Sequence, residues 1–97
     1  MRVRWLRSAL RDFESQIDYI AADDPQAAAR ASERVRGATE RLADFPEMGR
    51  AGRVPSTREL VVARTPWIVV YRVATSVEIL RVIHSSQRCP PRRRVRR

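Results

Sequence analysis

The chain has 97 residues, of which 43% are apolar, enough for one domain with a single modest core and not for a second active domain. No apolar run approaches the ~20 residues of a membrane span, and residues 1–5 lack the apolar segment of a signal peptide, so we expect a cytoplasmic protein. The net charge is +9, and the single Cys89 and single His84 exclude an intramolecular disulfide and argue against a metal site or cofactor.

The first half of the chain predicts a short strand followed by two helices. The strand covers residues 2–5. Apolar residues then recur at spacings of four and three, which predicts an amphipathic helix at about 8–21. Asp24 can cap a second helix and Pro25 suits its first position, so this helix is placed at about 25–44. Its apolar stripe is rich in alanine, which lets the two helices pack closely as an antiparallel hairpin.

The second half predicts a loop and an antiparallel meander. Residues 45–57 hold two of the three glycines and two of the six prolines, as a connecting loop would. Three strands follow, at about 58–64, 67–73 and 77–84. The expected fold class is therefore α+β, with the helical hairpin packed on a three-stranded meander. Residues 1–90 form one predicted domain, and residues 91–97 a basic, flexible tail.

The central strand sequence WIVVYRV is apolar on both sides, so one face of the sheet needs a second cover. A three-residue turn would place Val73 opposite Val77 and Arg72 opposite Glu78, an opposite-charge pair. We assign one face to the helices: Ile68, Val70, Leu80 and Val82. The other face is then expected to bind a partner or a second copy: Trp67, Val69, Tyr71, Val73, Val77, Ile79, Arg81 and Ile83. Two alternatives stay open, namely that the loop or tail covers this face, or that the register is off by one.

The charge is unevenly distributed along the chain. Residues 1–48 carry eight arginines against nine acidic residues, whereas residues 49–97 carry twelve arginines against Glu59 and Glu78 alone. Such a basic half attracts polyanions, including nucleic acid and acidic protein segments. All twenty cations are arginine, so a mechanism that needs a lysine cannot operate here.

The order of these elements and four short motifs resemble the RelE/ParE toxin superfamily of type II toxin–antitoxin systems. The motifs are Phe45-Pro46-x-x-Gly49, Arg58-Glu59-Leu60, Ile68-Val69-Val70-Tyr71-Arg72 and His84-x-x-Gln87. One departure is Cys89, at a position where the family often has an aromatic residue before the closing proline.

The resemblance implies one of two activities. ParE-like members inhibit DNA gyrase through protein contacts, without chemistry of their own, and are neutralised by a cognate antitoxin; we expect this function here. RelE-like members are ribosome-dependent mRNA endonucleases, which need an acid–base group and cations for the phosphate. For that alternative the candidate catalytic set is Arg64, Arg81 and His84, with Glu47 or Glu59 as a further carboxylate.

The resemblance also implies a protein partner that covers the open sheet face. The predicted antitoxin-binding residues are Trp67, Val69, Tyr71, Ile79, Arg81 and Ile83. The predicted target-binding residues are Arg88, Arg92, Arg93 and Arg94. A second alternative is a nucleic-acid-binding module that uses the basic meander as an electrostatic surface, although the sheet lacks the several aromatic residues of an RNA-stacking face.

Overall fold

Two helices lie on one face of a five-stranded mixed sheet in the computed structural model, which describes residues 1–88. The strand order is β1-β5-β4-β3-β2, with β1 parallel to β5 and the other neighbours antiparallel. The elements are β1 Val3–Trp5, α1 Arg7–Ala21, α2 Pro25–Arg41, β2 Arg50–Ala51, β3 Arg58–Val61, β4 Trp67–Val73, β5 Val77–His84 and the single turn α3 Ser85–Arg88. The predicted α+β class is confirmed. The sheet is larger than the predicted meander, because β1 joins it beside β5 and β2, expected as loop, pairs with β3.

The second helix begins as predicted. Asp24 accepts a hydrogen bond from the Ala27 N–H at 3.1 Å, and Pro25 occupies the first helical position. It ends at Arg41, three residues earlier than predicted, because the following N–H groups bond three residues back instead of four and tighten the chain into turns. Within residues 1–88 no helix is long and apolar enough to cross a membrane.

The core lies between the helical hairpin and the sheet face that carries the largest side chains. The inward side of α2 is mostly small, with Ala28, Ala31 and Ala38 buried. The sheet supplies the missing volume, with Trp67 at 2% and Tyr71 at 0% exposure. The cluster also includes the strand residues Val69, Val77, Ile79 and Val82, and Val62 directly after β3.

The assignment of sheet faces from the sequence was therefore wrong. The helices cover the face of Trp67, Val69, Tyr71 and Ile79, which the sequence analysis left open for a partner. Two ring contacts of Phe13 on α1 stabilise this arrangement: a tilted contact with Trp5, with the ring centroids 5.6 Å apart, and an edge contact with Trp67 at 6.2 Å. An alanine-rich helix needs bulky side chains opposite it, and in this chain the bulky side chains lie on the Trp67 and Tyr71 face.

A β-bulge in β5 explains why strict alternation failed. The predicted pairs Val73 with Val77 and Arg72 with Glu78 are confirmed. Beyond them the register shifts, because Tyr71 faces Ile79 while Val70 faces Arg81, so Leu80 is the extra residue. Past the bulge Val82 lies on the same face as Ile79, so the predicted covering of Val82 by the helices is confirmed, whereas its predicted separation from Ile79 is wrong.

Side chains of α1 close the edge of β5 where β1 no longer pairs with it. Strand β1 covers β5 only from Val77 to Ile79. Beyond that point the Ser8 hydroxyl donates to the Leu80 carbonyl at 2.7 Å, and the Gln16 amide to the Val82 carbonyl at 2.8 Å. The Val82 N–H donates to Asp12 at 3.0 Å. This polar row of Ser8, Asp12 and Gln16 satisfies backbone groups that would otherwise stand open on a sheet edge.

Candidate functional site

The sheet face away from the helices, here called the outer face, carries three rows of side chains that run across the strands. Their members follow from the strand register. The first row is Arg4, Glu78 and Arg72; the second is Arg81, Val70, Glu59 and Arg50; the third is Ile83, Ile68 and Val61. Two rows are charged and one is apolar, so the outer face is amphipathic along the strand direction.

Each charged row is organised around one glutamate. Glu78, with 15% of its side chain exposed, accepts from Arg72 Nε at 2.6 Å and Arg4 Nη1 at 3.5 Å. Glu59, at 5% exposure, accepts from the Arg53 N–H at 3.2 Å and lies 3.8 Å from Arg50 Nη2. A buried carboxylate needs such partners, because desolvation without them is costly. The arginine ends stay about half exposed and offer donors to a partner.

The apolar row is partly open. Val61 is 57% exposed at its end, Ile68 is 3% exposed at its centre, and Ile83 is half-buried. Val70, a half-buried member of the second row, adds an apolar group between Arg81 and Glu59. The face can therefore take an amphipathic segment with apolar groups over Val61 and carboxylates toward the arginines.

The predicted antitoxin-binding residues divide between the two faces. Trp67, Val69, Tyr71 and Ile79 are at most 2% exposed beneath the helices, so none of them can contact a partner in this conformation. The register places Ile83 on the outer face. The sequence signal that distinguishes the faces is side-chain volume opposite the alanines of α2, not the alternation of apolar residues.

Arg81 is exposed and folds over the β5 edge toward α1. Its Nε lies 2.6 Å from Asp12 Oδ2, and its Nη2 lies 3.1 Å from Oδ1. These hydrogen bonds, with the charge of the carboxylate, outweigh desolvation and raise the pKa of the Arg81 guanidinium above its ordinary value. Asp12 on α1 therefore lies against β5.

The three candidate catalytic residues of the endonuclease alternative have different settings. Arg64 lies exposed in the turn between β3 and β4, with a left-handed φ of 62°. Arg81 is held on Asp12. His84 ends β5 opposite Trp67, and its Nδ1 accepts from the Ser86 N–H at 3.1 Å. It lines an open cleft of about 370 Å³ with Tyr19, Ile20 and Pro66 among its neighbours.

Three of the four motifs that suggested the superfamily meet around the buried Tyr71 hydroxyl. Tyr71 donates to the Pro46 carbonyl at 2.8 Å and accepts from the Gly49 N–H at 2.8 Å. Arg58 adds bonds to the carbonyls of Glu47 and Gly49, at 3.3 and 2.7 Å. These bonds hold the loop after α2 against the sheet. They join the motifs Phe45-Pro46-x-x-Gly49 and Arg58-Glu59-Leu60 to the β4 segment, a structural role that sequence reasoning missed.

The predicted target-binding residues Arg92, Arg93 and Arg94, with the side chain of Arg88, lie outside the described residues. The same holds for Cys89 and for the predicted tail. Their roles stay predictions.

Comparisons with known proteins agree with this architecture. The family model described as ParE toxin of type II toxin-antitoxin system, parDE, matches residues 3–89. The chain is 48% identical to "Putative toxin Y4kP" of Sinorhizobium fredii, over 92% of this chain and 93% of that protein. It is 38% identical to Toxin RelE2 of Caulobacter vibrioides, over 89% of this chain and 97% of that protein. A solved structure titled "Chromosomal ParDE TA system from P. aeruginosa" superposes with a TM-score of 0.78 and 26% identity, covering 87% of this chain and 95% of that one.

Proposed function

The chain belongs to the ParE toxin family of type II toxin–antitoxin systems, and from this membership we propose that it inhibits DNA gyrase and is neutralised by a cognate antitoxin. The observation that carries the proposal is the match to the ParE family model over residues 3–89. Inhibition through protein contacts needs no acid–base set.

The residues available for cleavage support the same choice. The chain has no lysine. Arg81 neutralises Asp12, and the Nδ1 of His84 is occupied by the Ser86 N–H. A ribosome-dependent endonuclease is the second candidate, and the names of the Caulobacter relatives, Toxin RelE1 and Toxin RelE2, favour it.

The target is tested by two assays run side by side. Purified wild-type chain and His84→Ala are added to a gyrase supercoiling assay and to a translation extract in which mRNA cleavage is followed. We expect both proteins to inhibit supercoiling equally and neither to cleave mRNA. Ribosome-dependent cleavage that is lost in a folded His84→Ala protein would reject the gyrase proposal.

For the antitoxin we propose the outer face as the binding surface. Val61 and Ile83 would meet apolar residues of an amphipathic antitoxin segment, while its carboxylates would reach Arg72 and Arg50, each about half exposed. Burial of aliphatic side chains contributes about 1.5–3 kcal/mol each, and charge-assisted bonds add specificity. Ordering a flexible partner offsets several kcal/mol of this.

Charge placed in the apolar row tests this surface. Val61→Glu should weaken the complex with the cognate antitoxin by at least about tenfold, or about 1.4 kcal/mol. Val54→Glu is the matched control, since Val54 is 62% exposed and lies in the loop before β3. Binding is measured by calorimetry and folding by thermal melting. If both variants are folded and bind the antitoxin with equal affinity, the antitoxin does not bind at the outer face.

A further inference from the structure

The arginines of the sheet are largely engaged within the chain. Each of the five strand arginines has an acceptor among the described residues. Their acceptors are Glu78 for Arg4 and Arg72, Glu59 for Arg50, the Glu47 and Gly49 carbonyls for Arg58, and Asp12 for Arg81. The sheet therefore offers less uncompensated positive charge to a polyanion than its arginine content suggests.

One flank of α2 carries a row of cations without an ion pair in the described part of the chain. Arg30, Arg34, Gly37 and Arg41 follow at i, i+4, i+7 and i+11, which places them along one side of the helix. Within residues 1–88 the three arginine side chains make no ion pair or hydrogen bond. The neighbouring Glu33 is taken by Arg36, at 3.6 Å.

The first helix has a comparable row of side chains whose net charge is zero. At the same spacing α1 carries Arg7, Arg11, Glu14 and Asp18, two cations and two anions. The α2 flank carries three cations, and its fourth position has no side chain. The excess charge is therefore local to α2.

Gly37 has no role inside the fold. An ideal Cβ built on it meets no atom within 4 Å, and its φ is not in the left-handed region. Glycine is the weakest helix former after proline, so the fold itself would favour alanine. A glycine between arginines on an open flank lets an external surface approach the helix backbone closely.

From this flank we infer a binding surface for the phosphate backbone of duplex DNA. Arg30 to Arg41 spans about 16 Å of helix, which matches about five phosphates of one strand at 3.4 Å of duplex axis each. No large apolar side chain is exposed within α2, whereas the buried centre of a protein interface is more apolar than the surrounding surface. The regular row of charges matches a regular duplex, and binding to phosphates alone carries no sequence preference.

Salt-dependent binding tests the inference with a charge-matched pair of variants. The probe is a fluorescein-labelled 20-base-pair duplex of random sequence, titrated with the full-length chain at 50–200 mM KCl. The first variant is Arg30→Gln, Arg34→Gln and Arg41→Gln together. Its control is Arg2→Gln, Arg7→Gln and Arg11→Gln, exposed arginines that make no ion pair or side-chain hydrogen bond with residues 1–88.

We expect the affinity of the α2 variant to fall at least tenfold at 50 mM KCl. The slope of log K against log salt should fall by about 2.7, or about 0.9 for each phosphate that is no longer neutralised. The control should change the slope by less than about one. An equal decrease in both variants would show unspecific attraction and overturn the inference, and so would unchanged binding of the α2 variant.

Gly37→Leu separates binding from folding. Leucine is a good helix former and the site is open, so Tm should rise by a few degrees. Affinity for the duplex should nevertheless fall several-fold, because the side chain holds the phosphates away from the helix. A stabilised Gly37→Leu protein that binds the duplex as wild type would overturn the close approach, and with it the inferred surface.

Discussion

Tyr71→Phe is expected to destabilise the fold by about 2–4 kcal/mol. The substitution removes one hydroxyl and leaves the buried Gly49 N–H and the Pro46 carbonyl without their partner. Each unsatisfied group costs about 1–3 kcal/mol. Urea denaturation of both proteins gives the difference in the free energy of unfolding.

Tyr19→Phe is the matched control, because Tyr19 is 84% exposed. The same chemical change there should stay within about 0.5 kcal/mol of wild type. If the two variants unfold at the same urea concentration, then the Tyr71 hydroxyl does not hold the loop to the sheet.

Gly49→Ala and Gly37→Ala are expected to have opposite effects on stability. A Cβ on Gly49 would lie 2.7 Å from the Tyr71 hydroxyl and 2.9 Å from the Glu59 carbonyl, and the carbonyl is backbone that cannot swing away. Overpacking of this kind costs about 1–3 kcal/mol, and displacement of the Tyr71 hydroxyl adds to it. On Gly37 the Cβ meets open space, so the higher helix propensity of alanine should stabilise by about 1 kcal/mol.

Thermal melting measures the direction of both stability changes directly. For a domain of this size 1 kcal/mol corresponds to about 4–8 °C in Tm. Gly49→Ala should melt well below wild type and Gly37→Ala above it. A Gly49→Ala protein as stable as wild type would mean that the loop can move away from Tyr71, contrary to the tight packing described above.

The helices were predictable from sequence because their signals are local. A period near 3.6 marks the apolar stripe of α1, and Asp24 with Pro25 marks the start of α2. The Arg72 and Glu78 pair, six residues apart across a short turn, likewise fixed the register at the end of the β4–β5 hairpin. Each of these features depends on residues close together in the chain.

The sheet faces could not be read in the same way. A strand that is apolar on both sides has the same alternation whichever face is inward. The spacing of its apolar residues therefore does not show which face packs against the helices. The bulge at Leu80 reverses the alternation without a sequence signature, which is why Ile79 and Val82 were assigned to opposite faces although both lie beneath the helices. Only the volume balance between the alanines of α2 and Trp67 or Tyr71 distinguishes the two faces.

The candidate site was predicted only in part, because its contacts join residues that are far apart in the chain. Arg81 was predicted to bind the antitoxin, but its partner in the structure, Asp12, is 69 positions away and no local pattern connects them. The motif residues Pro46 and Gly49 were recognised by resemblance alone. Their structural role is to bind the hydroxyl of Tyr71, which lies more than twenty residues later in the chain.

The polar row on α1 has a consequence for any partner that binds by adding a strand. Because Ser8, Asp12 and Gln16 occupy the far half of the β5 edge, the described chain offers a strand only the three residues of β1 or the two residues of β2. Such short edges supply about two to four main-chain hydrogen bonds, which any sequence can make. A partner that joins either edge is therefore distinguished from other proteins mainly by its side-chain contacts.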